Sequence, residues 1–492
     1  MSSNFYAVCD FGEDVGRVML GTLHKDQLVV TETRRFQNVP LQDKEGVQWN
    51  IPQLYRETLD GLREIASHDE PLDSVSCSSS VADYMLFAPD GSLMTPTYHH
   101  RDARTQEGAK EVFAKVPWET VYGETGVQRL PGNTLLQLGA EKSKRLKKAG
   151  QIMPVADGFN FLLAGVPRVE MSLASLTQLY NPITHNWSEV LINALELPQK
   201  LFPQLVPAGT KLGDLKPDIA KETKLEDTRI VTACSHEIAA ALVGLPIEEA
   251  DNWAFLRTGA SAVMGTELSA PIISDVSREW NYNNETGYGG SVAFYKHTVG
   301  MWILDECRRF WSEKDRDLGM DMLMHLAISA PPFESLINLS DPRFLEPGDM
   351  PLKIVAYCKE TNQQLPRKPG PAVRCILESL ALLYRKTLCE LEFLTNRHFK
   401  QIYLFGSQSN DLLNHFIANA LQIPVVLVPS DVSVIGNMMV QALALGHIKL
   451  LDQARDIVKN SFKTETIIPH AAVWDAAYDR FAQLVAAPAP QA

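Results

Sequence analysis

The sequence predicts an α/β protein built from two domains. Short apolar runs typical of buried strands alternate with segments whose apolar residues recur at helical spacing, and this alternation is the pattern of sheets flanked by helices. The chain is 492 residues long, whereas single hydrophobic cores stop growing near roughly 250–300 residues. We therefore expect two domains of similar size, with their boundary near residues 245–253.

Strand-like runs and turn residues predict three strands at the start of the chain. They cover residues 5–10, 17–23 and 28–33, and the first two are joined by the turn Asp10-Phe-Gly-Glu-Asp-Val-Gly16. Residues 51–66 carry leucine and isoleucine at helical spacing, and residues 73–78 read as another strand. The order of these elements fits the α/β class.

Two later segments pair a buried strand with a following helix. Residues 228–235 form the first such strand, and a helix of small residues follows over 238–245. Residues 399–405 form the second, and Gly406-Ser407-Gln408-Ser409-Asn410 leads into a helix over 411–421. Ligands in α/β sheets collect at the carboxyl ends of strands, which lie here at Asp10, Ser78, Ser235 and Gly406.

Charge and composition exclude several classes of function. The formal net charge is −13, which argues against a broad phosphate-tracking surface for nucleic acid. Hydrophobic residues make up 45% of the chain, so most of it is expected to fold. We find no apolar run of the roughly 20 residues that a membrane helix needs. We therefore expect a small-molecule partner, with neither nucleic acid nor a membrane.

The cysteines and the first residues indicate the compartment. The seven cysteines are scattered and form no Cys-x-x-Cys, whereas a zinc site or a disulfide framework would need closer spacing. The first ten residues lack the basic and apolar regions of a secretory signal. We expect a cytoplasmic protein with reduced thiols.

A series of short motifs runs in order along nearly the whole chain, each weak alone but specific as an ordered set. They are Asp10-Phe-Gly-Glu-Asp-Val-Gly-Arg-Val-Met-Leu20, Arg101-Asp-Ala-Arg-Thr105, Asn133-Thr-Leu-Leu-Gln-Leu138, Thr177-Gln-Leu179, Ser235-His-Glu237, Thr258-Gly259, Gly300-Met-Trp302, Leu380-Ala-Leu-Leu-Tyr384 and Ile435-Gly-Asn437. In this set the chain resembles the FGGY carbohydrate kinases and, within that family, the rhamnulokinases.

The resemblance implies a fold and a reaction. The fold is two actin-like (ribonuclease-H-like) domains with an interdomain cleft: a sugar-binding lobe over residues 1–247, a nucleotide-binding lobe over 248–480, and a flexible tail over 481–492. The reaction moves the γ-phosphoryl group of Mg-ATP to a hydroxyl of a ketose, L-rhamnulose or a related sugar. ATP and Mg²⁺ are the implied cofactors.

The resemblance also implies roles for residues at matching positions. Glu237 is the implied catalytic base, and Asp10 the implied catalytic and Mg²⁺-binding carboxylate. For the nucleotide and its phosphates the implied residues are Gly12, Glu13, Asp14, Gly16, Arg17, Thr258, Gly259, Ala260, Asp305 and Gly406. For the sugar they are Val81, Asp83, His236, Glu237, Ile238 and His297, with further polar positions at Arg101, Asp102, Arg104, Asn133 and Gln178.

The base position departs from the family, which carries Asp where this chain has Glu237. The extra methylene displaces the carboxylate by about 1.5 Å unless the backbone retreats, and a misplacement near 1 Å can cost roughly 100-fold in rate. The alternative role for Glu237 is a cap on the following helix, where its charge suits the helix dipole.

The phosphate loop departs further, because Glu13 and Asp14 stand where small and hydroxyl residues are expected. Two carboxylates facing a triphosphate would oppose its binding, unless they form a solvated turn that points away. We hypothesise that Arg257 pairs with one of them; the alternative is a surface arginine. The arginine and aspartate residues at positions 101–104 could likewise form structural ion pairs. His236 could be a core histidine whose ring is hydrogen-bonded within the protein.

Other departures also lie on the nucleotide side. Ala260 lacks the family's hydroxyl, Asp305 replaces an amide, and Gly406-Ser407-Gln408 replaces a run of three glycines. The leading hypothesis is therefore a divergent sugar kinase. The alternative is a degenerate, non-catalytic protein of the same fold that binds a sugar or a protein partner.

Overall fold

A computed structural model describes residues 3–67, 71–248, 252–313, 318–406, 410–470 and 473–486. The chain divides into two compact units. Unit 1 comprises Met1–Glu248, Glu267–Phe294 and Asp431–Lys463, and unit 2 comprises Glu249–Thr266, Tyr295–Ser430 and Thr464–Ala492. The chain first leaves unit 1 beside the predicted boundary at 247/248, but it returns twice, because later segments bury their apolar residues in the core of unit 1.

The strands of the described residues are numbered in chain order. They are β1 (Asn4–Phe11), β2 (Val15–His24), β3 (Gln27–Gln37), β4 (Leu41–Asp43), β5 (Gly46–Gln48), β6 (Ser74–Ser79), β7 (Tyr84–Phe87), β8 (Leu93–Met94), β9 (Gln151–Pro154), β10 (Val169–Glu170), β11 (Tyr180–Asn181), β12 (Asn186–Trp187), β13 (Leu205–Val206), β14 (Thr210–Asp214), β15 (Arg229–Thr232), β16 (Trp253–Thr258), β17 (Ser261–Leu268), β18 (Asn283–Thr286), β19 (Val292–Val299), β20 (Gln401–Gly406), β21 (Val425–Leu427) and β22 (Glu465–Ile467).

The α-helices are numbered in the same way. They are α1 (Ile51–Ala66), α2 (Arg104–Lys115), α3 (Trp118–Thr125), α4 (Thr134–Gly139), α5 (Ser143–Lys148), α6 (Val155–Ala164), α7 (Met171–Leu176), α8 (Glu189–Ala194), α9 (Pro217–Thr223), α10 (Glu237–Gly244), α11 (Asp275–Glu279), α12 (Trp302–Ser312), α13 (Met320–Ile328), α14 (Met350–Glu360), α15 (Pro369–Thr395), α16 (Asp411–Leu421), α17 (Val432–Leu445), α18 (Leu451–Ser461) and α19 (Trp474–Ala486).

The main sheet of unit 1 has the strand order β14-β15-β6-β1-β2-β3. Strand β1 pairs antiparallel with β2 and parallel with β6, and β15 continues in parallel on β6. The carboxyl ends of β1, β6 and β15 therefore meet at one edge of the sheet, which is where the sequence predicted a ligand.

Side-chain alternation along β1 divides the core of unit 1 into two layers. Ala7, Cys9 and Phe11 face one hydrophobic cluster, which also contains residues of α1 and α6. Tyr6 and Val8 face another, which contains residues of α10, α17 and α18. Helices thus cover both faces of the sheet, as the continuous apolar sequence of β1 requires.

Unit 2 repeats the pairing pattern of unit 1. Its sheet contains strands in the order β19-β17-β16-β20-β21-β22. Strand β16 pairs antiparallel with β17 and parallel with β20, and β20 pairs in parallel with β21. In both units a hairpin is followed by two parallel strands, which is the order expected for the actin-like fold.

Several sequence-based predictions can be compared with these elements. The predicted helices over 51–66 and 411–421 are confirmed residue for residue as α1 and α16. Strand β15 ends at Thr232, short of the predicted 235, because the N–H of Ser235 binds the Glu170 side chain instead of another strand.

The ends of other predicted segments also differ. Residues 481–486 of the predicted flexible tail belong to α19, where Phe481 is fully buried, and residues 487–492 lie outside the described residues. Among the described helices, none is both long enough and apolar enough to cross a membrane.

Helices α10 and α17 cross at very short distance, and glycine makes this possible. A Cβ at Gly436 would overlap the carbonyl oxygen of Ala240, and one at Gly244 would overlap that of Val432. Because backbone atoms cannot move aside as a flexible side chain can, these positions hold the two helices in contact.

We predict that Gly436→Ala lowers the free energy of unfolding by about 1–3 kcal/mol, because the added methyl group forces α10 and α17 apart. Urea unfolding followed by circular dichroism measures this change. The matched control is Gly123→Ala, since Gly123 is exposed on α3 and has open space around its Cβ position. The control should be neutral or slightly stabilising, and equal stability of the two variants would refute the crossing argument.

Candidate functional site

Strand register brings three polar residues together at the edge of the unit 1 sheet. Asp10 on β1 lies opposite Arg17 on β2 and opposite Ser78 on β6. The Arg17 guanidinium donates to Asp10 Oδ2 at 2.8 Å, and Ser78 Oγ donates to Asp10 Oδ1 at 3.1 Å. Both carboxylate oxygens of Asp10 are thus held in place.

Arg17 also binds a carboxylate far away in the sequence. Its other terminal nitrogen donates to Asp431 Oδ1 at 2.6 Å, immediately before α17. Burial raises the pKa of Asp10, and the charge of Glu237 adds to this rise, whereas Arg17 and Ser78 oppose it. Asp10 and Glu237 therefore lie close enough to repel each other.

Glu237 is the first residue of α10, directly after His236. The N–H of Ala239 in the first turn of this helix is bound by the Glu285 side chain at 3.1 Å. A residue of β18 thus supplies a cap that the sequence suggested for Glu237. Whether Glu237 acts as the base or through the helix dipole stays a prediction.

The turn between β1 and β2 carries Glu13 and Asp14, which are 45% and 78% exposed. The carbonyl oxygen of Gly12 accepts from Asn38 Nδ2 at 2.6 Å, and that of Asp14 accepts from the Asn38 N–H at 3.0 Å. Gly16 is required, since a Cβ there would overlap the Phe36 ring. The turn is thus solvated, and the nucleotide-side roles of Glu13 and Asp14 stay predictions.

The positive partner of this turn is Arg101. Its guanidinium lies 2.6 Å from Glu13 Oε2 and 3.4 Å from Asp14 Oδ1. The sequence pointed to Arg257 for this role, and Arg257 belongs to unit 2. The pairing of Arg257 with this turn stays a prediction, and within unit 1 Arg101 offsets part of the charge that would repel a phosphate.

Asp83 is buried in a network of N–H donors. Its Oδ2 accepts from Trp49 Nε1 at 2.6 Å, from the His100 backbone N–H at 2.9 Å and from His100 Nδ1 at 3.0 Å. Its Oδ1 accepts from Gln137 Nε2 at 2.7 Å. Burial would raise the pKa of Asp83, but the His100 ring outweighs it, so the pKa is lowered.

His99 joins Asp83 and His100 in a cluster of possible metal-ligating atoms that lie within 4.8 Å of one another. Burial and the neighbouring His100 lower the pKa of His99 to about 4, so its ring is neutral at pH 7. However, Asp83 Oδ2 already accepts three hydrogen bonds, and a cation would have to displace them. The cluster fits a hydrogen-bonded recognition site better than a metal site.

The remaining sugar-side residues of unit 1 lie mostly inside. Ile238 is 1% exposed, so its side chain packs in the core. Val81 is half-buried, and its N–H and C=O both bond with Ser79 Oγ. His236 is buried, with Nδ1 bound to Glu285 Oε1 at 2.8 Å and a further hydrogen bond to the Ser80 backbone. This pairing favours a structural role for the His236 ring.

Other polar positions of the motifs are also used internally. Arg104 binds Glu141 and Tyr84 and stacks on Tyr98, which fits the structural ion pair that the sequence left open. The remaining members of this group bond to nearby backbone: Asp102 accepts from Val47 and Arg104 N–H groups, Asn133 from Leu130, and Gln178 donates to the Gln128 carbonyl.

Two buried carboxylates lie behind the Ser235-His236-Glu237 segment. Glu170 accepts from the N–H groups of Ser235 and Ser172 and from Ser172 Oγ, and Asp157 accepts from Ser235 Oγ at 3.0 Å. Burial raises the pKa of Glu170 to about 7. Burial and the charge of Glu170 raise the pKa of Asp157 well above its ordinary range.

The nucleotide-side residues from Thr258 onward belong to unit 2. Thr258 is buried at the end of β16, and its hydroxyl donates to the Phe405 carbonyl at 3.2 Å, so the predicted phosphate contact through this hydroxyl would need another rotamer. The carbonyls of Gly259 and Ala260 accept from the N–H groups of Met301 and Trp302. This turn therefore rests against the start of α12.

Gly406 ends β20 with a φ of 120°, and a Cβ there would overlap the backbone of Thr258. Ser407 and Gln408, predicted to crowd the nucleotide, lie outside the described residues. Asp305 lies in the first turn of α12, 3.9 Å from Arg308. His297, on β19, packs edge-on against Tyr295. The ligand roles of these residues stay predictions.

Sequence reasoning missed several residues of the unit 1 site, among them Asp431, Glu170, Glu285, His99 and His100. In the sequence, Asp431 stands just before a predicted helix, which is only a weak indication of a functional role. Glu285 lies in the polar run Asn283-Asn284-Glu285-Thr286, which resembles a loop in sequence but forms the fully buried strand β18.

Family models and relatives are consistent with this architecture. Residues 5–244 match the N-terminal domain, and residues 254–445 the C-terminal domain, of the FGGY family of carbohydrate kinases. A rhamnulokinase of Bacteroides thetaiotaomicron is 35% identical over 99% of this chain and 100% of its own length. One of Enterococcus faecalis is 33% identical over 94% of this chain and 93% of its own.

Solved structures show the same fold. A gluconate kinase and a ligand-bound xylulose kinase, both from Lactobacillus acidophilus, superpose with a TM-score of 0.82 each at 15% identity. Each covers 98% of this chain, and the chain covers 98% and 97% of theirs. The predicted two-domain fold is therefore confirmed.

We predict that Glu170 makes stability depend on pH. Its pKa rises from 4.5 to about 7 on folding, so the folded state favours the proton, and stability falls as pH rises between these values. The loss amounts to about 3 kcal/mol at about 1.4 kcal/mol per pKa unit, most of it from burial and part from repulsion by Glu285. Glu170→Gln cannot titrate, and its profile should be flatter.

Urea unfolding of the wild type and of Glu170→Gln at pH 5 and pH 8 measures this difference. Glu189→Gln removes an exposed carboxylate on α8 and serves as the control, whose profile should follow the wild type. A Glu170→Gln profile as steep as that of the wild type would contradict the assignment.

Proposed function

Because the chain belongs to the FGGY family of carbohydrate kinases, we propose that it transfers the γ-phosphoryl group of ATP to a hydroxyl of a ketose, L-rhamnulose or a related sugar. The observation that carries the proposal is that strand register brings two carboxylates to one edge of the unit 1 sheet, since Asp10 lies opposite Ser78 and the next residue, Ser79, bridges to His236 beside Glu237. The similarity to rhamnulokinases over almost the full chain supports the choice of sugar.

Glu237 is the proposed general base. It accepts the proton of the sugar hydroxyl while that oxygen forms a bond to the γ-phosphorus, and the bond from the γ-phosphorus to the bridging oxygen breaks to release ADP. The carboxylate lies at the start of α10, directly after a segment that buried hydrogen bonds hold in place.

The carboxylates present fit a magnesium ion, which prefers one or two carboxylate oxygens together with phosphate oxygens. Asp10 would hold the ion, and its raised pKa beside Glu237 indicates a place where a cation relieves repulsion. When bound, Mg²⁺ neutralises charge on the phosphate oxygens.

Unpartnered polar atoms around Asp83 support a polyhydroxylated ligand. Within the described residues, buried Ser80 Oγ, Thr97 Oγ1, His99 Nε2 and Gln137 Oε1 have no hydrogen-bond partner. A buried polar group left without a partner costs about 1–3 kcal/mol. Sugar hydroxyls both donate and accept, so they can satisfy donors and acceptors of this kind together.

The alternative of a non-catalytic protein receives no support from the comparisons, which match kinases along the whole chain. Its main argument was the charge of Glu13 and Asp14, and Arg101 offsets part of that charge. We keep the cytoplasm as the proposed compartment.

We predict that Glu237→Gln lowers kcat at least about 100-fold, because the amide cannot accept the proton. An assay of ADP release with Mg-ATP and a panel of ketoses, L-rhamnulose first, measures turnover. Glu237→Asp keeps the carboxylate and should retain activity or raise it.

Calorimetric titration with Mg-ATP provides the control, and binding should be the same in the wild type and in Glu237→Gln. Absence of turnover with every ketose in a folded wild-type protein would overturn the proposed function. Full activity of Glu237→Gln would overturn the role of the base alone.

We predict that Arg101→Gln raises the KM for Mg-ATP by about tenfold, or about 1.4 kcal/mol, because Glu13 and Asp14 then face the phosphates unpaired. The effect should shrink at high salt, since all three side chains are partly exposed. Steady-state kinetics at low and high ionic strength measure it.

The triple variant Arg101→Gln, Glu13→Gln, Asp14→Asn should restore the KM, because it removes the repulsion together with its counter-charge. Lys110→Gln, which breaks an exposed ion pair with Glu107, is the matched control and should leave the KM unchanged. A KM that stays unchanged in Arg101→Gln would show that the turn does not approach the phosphates.

A further inference from the structure

Glu285 is a buried carboxylate that no chemical step above uses. It lies on β18, where all four residues are buried, and its own exposure is 0%. Glu285 Oε1 binds two groups, His236 Nδ1 at 2.8 Å and the N–H of Ala239 at 3.1 Å. These two groups lie on either side of Glu237 in the sequence.

His236 connects the segments around the proposed base. Its ring binds Glu285 and the Ser80 backbone, and its backbone N–H donates to Ser172 Oγ at 3.1 Å. Next to it, the N–H of Ser79 donates to the Ser235 carbonyl at 2.9 Å. The loop after β6 and the start of α10 therefore meet at this ring.

The charges around the His236 ring favour its protonated form. Burial alone would lower the pKa of His236, but the carboxylates of Glu285 and Glu237 and the hydrogen bond to Ser80 outweigh it, so the pKa is raised. Glu170 is the next carboxylate, bound to the neighbouring Ser235 N–H. A protonated ring can donate from both nitrogens at once, as this arrangement requires.

We propose that Glu285 is a positioning residue for Glu237. By binding the His236 ring and capping the first turn of α10 together, it fixes the direction in which the Glu237 carboxylate leaves the helix. This inference rests on the proposed function, since positioning matters only if Glu237 is the base.

The need for positioning follows from the length of the side chain. Glutamate has one more rotatable bond than aspartate, so its carboxylate reaches more positions from the same backbone. A displacement near 1 Å can cost roughly 100-fold in rate. Glu285 holds residues 236 and 239 on both sides of position 237, which restricts the backbone from which Glu237 starts.

The test is Glu285→Gln, which keeps the shape of the side chain and removes its charge. We expect kcat to fall at least about tenfold with the KM for Mg-ATP unchanged, because the base is misplaced while the nucleotide still binds. Glu378→Gln is the matched control: it changes another buried glutamate, which accepts from the Phe333 N–H and from Arg374 in unit 2. Its kcat should stay close to that of the wild type.

A second readout does not depend on activity. NMR of ¹⁵N-labelled histidine reports the protonation of the His236 ring, assigned with His236→Asn. Loss of the Glu285 charge should lower the His236 pKa by about one unit or more, whereas Glu378→Gln should leave it unchanged. If Glu285 only stabilised the core and did not bind the His236 ring, its substitution would leave the pKa of His236 unchanged.

The outcomes separate the two proposals. Wild-type protein without turnover overturns the proposed function, and NMR then decides alone whether Glu285 holds His236. If the wild type is active and Glu285→Gln has the same kcat, the positioning role is overturned. If Glu285→Gln does not fold, His236→Phe replaces it, because the phenyl ring fills similar space but cannot donate to Glu285. An unchanged kcat in His236→Phe also overturns the proposal.

Discussion

The unit 1 site depends on one constraint: carboxylates buried in the protein must be supplied with hydrogen-bond donors. An ionised carboxylate without partners is too costly to bury. Asp83, Glu170 and Glu285 obtain many of their donors from backbone N–H groups, those of residues 100, 172, 235 and 239. Each acid therefore fixes a loop or a helix start in place, so burial of charge determines where the site residues stand.

Strand register adds a second level of organisation. Asp10, Arg17 and Ser78 meet because β1 lies between β2 and β6, and a shift by one residue would turn each side chain to the other face. The buried alternation of β1 between two core layers fixes that register. The same apolar residues that stabilise the sheet thus place the carboxylate that is proposed to hold the metal ion.

The sequence predicted the elements with strong periodicity and missed those fixed by distant contacts. Helices α1 and α16 follow from apolar spacing and local caps, so their bounds were predictable. Strand β18 consists of polar residues that are buried only because other segments supply partners, and no local pattern reveals this. Arg101 pairs with Glu13, which lies 88 positions away in the sequence. The motif identified the arginine, but only the fold shows which residue it pairs with.

The packing of α10 bears on why glutamate at position 237 matters. The start of this helix is capped by Glu285, and Gly436 of α17 approaches the Ala240 carbonyl so closely that a methyl group would not fit. With contacts at both places, the helix backbone cannot retreat to absorb the extra methylene of Glu237. The additional length, about 1.5 Å, must then be taken up by the side-chain rotamer or by the position of the acceptor hydroxyl. For an acceptor within reach of an aspartate, the rigid helix requires the Glu237 side chain to fold back, so its rotamer decides where the base stands.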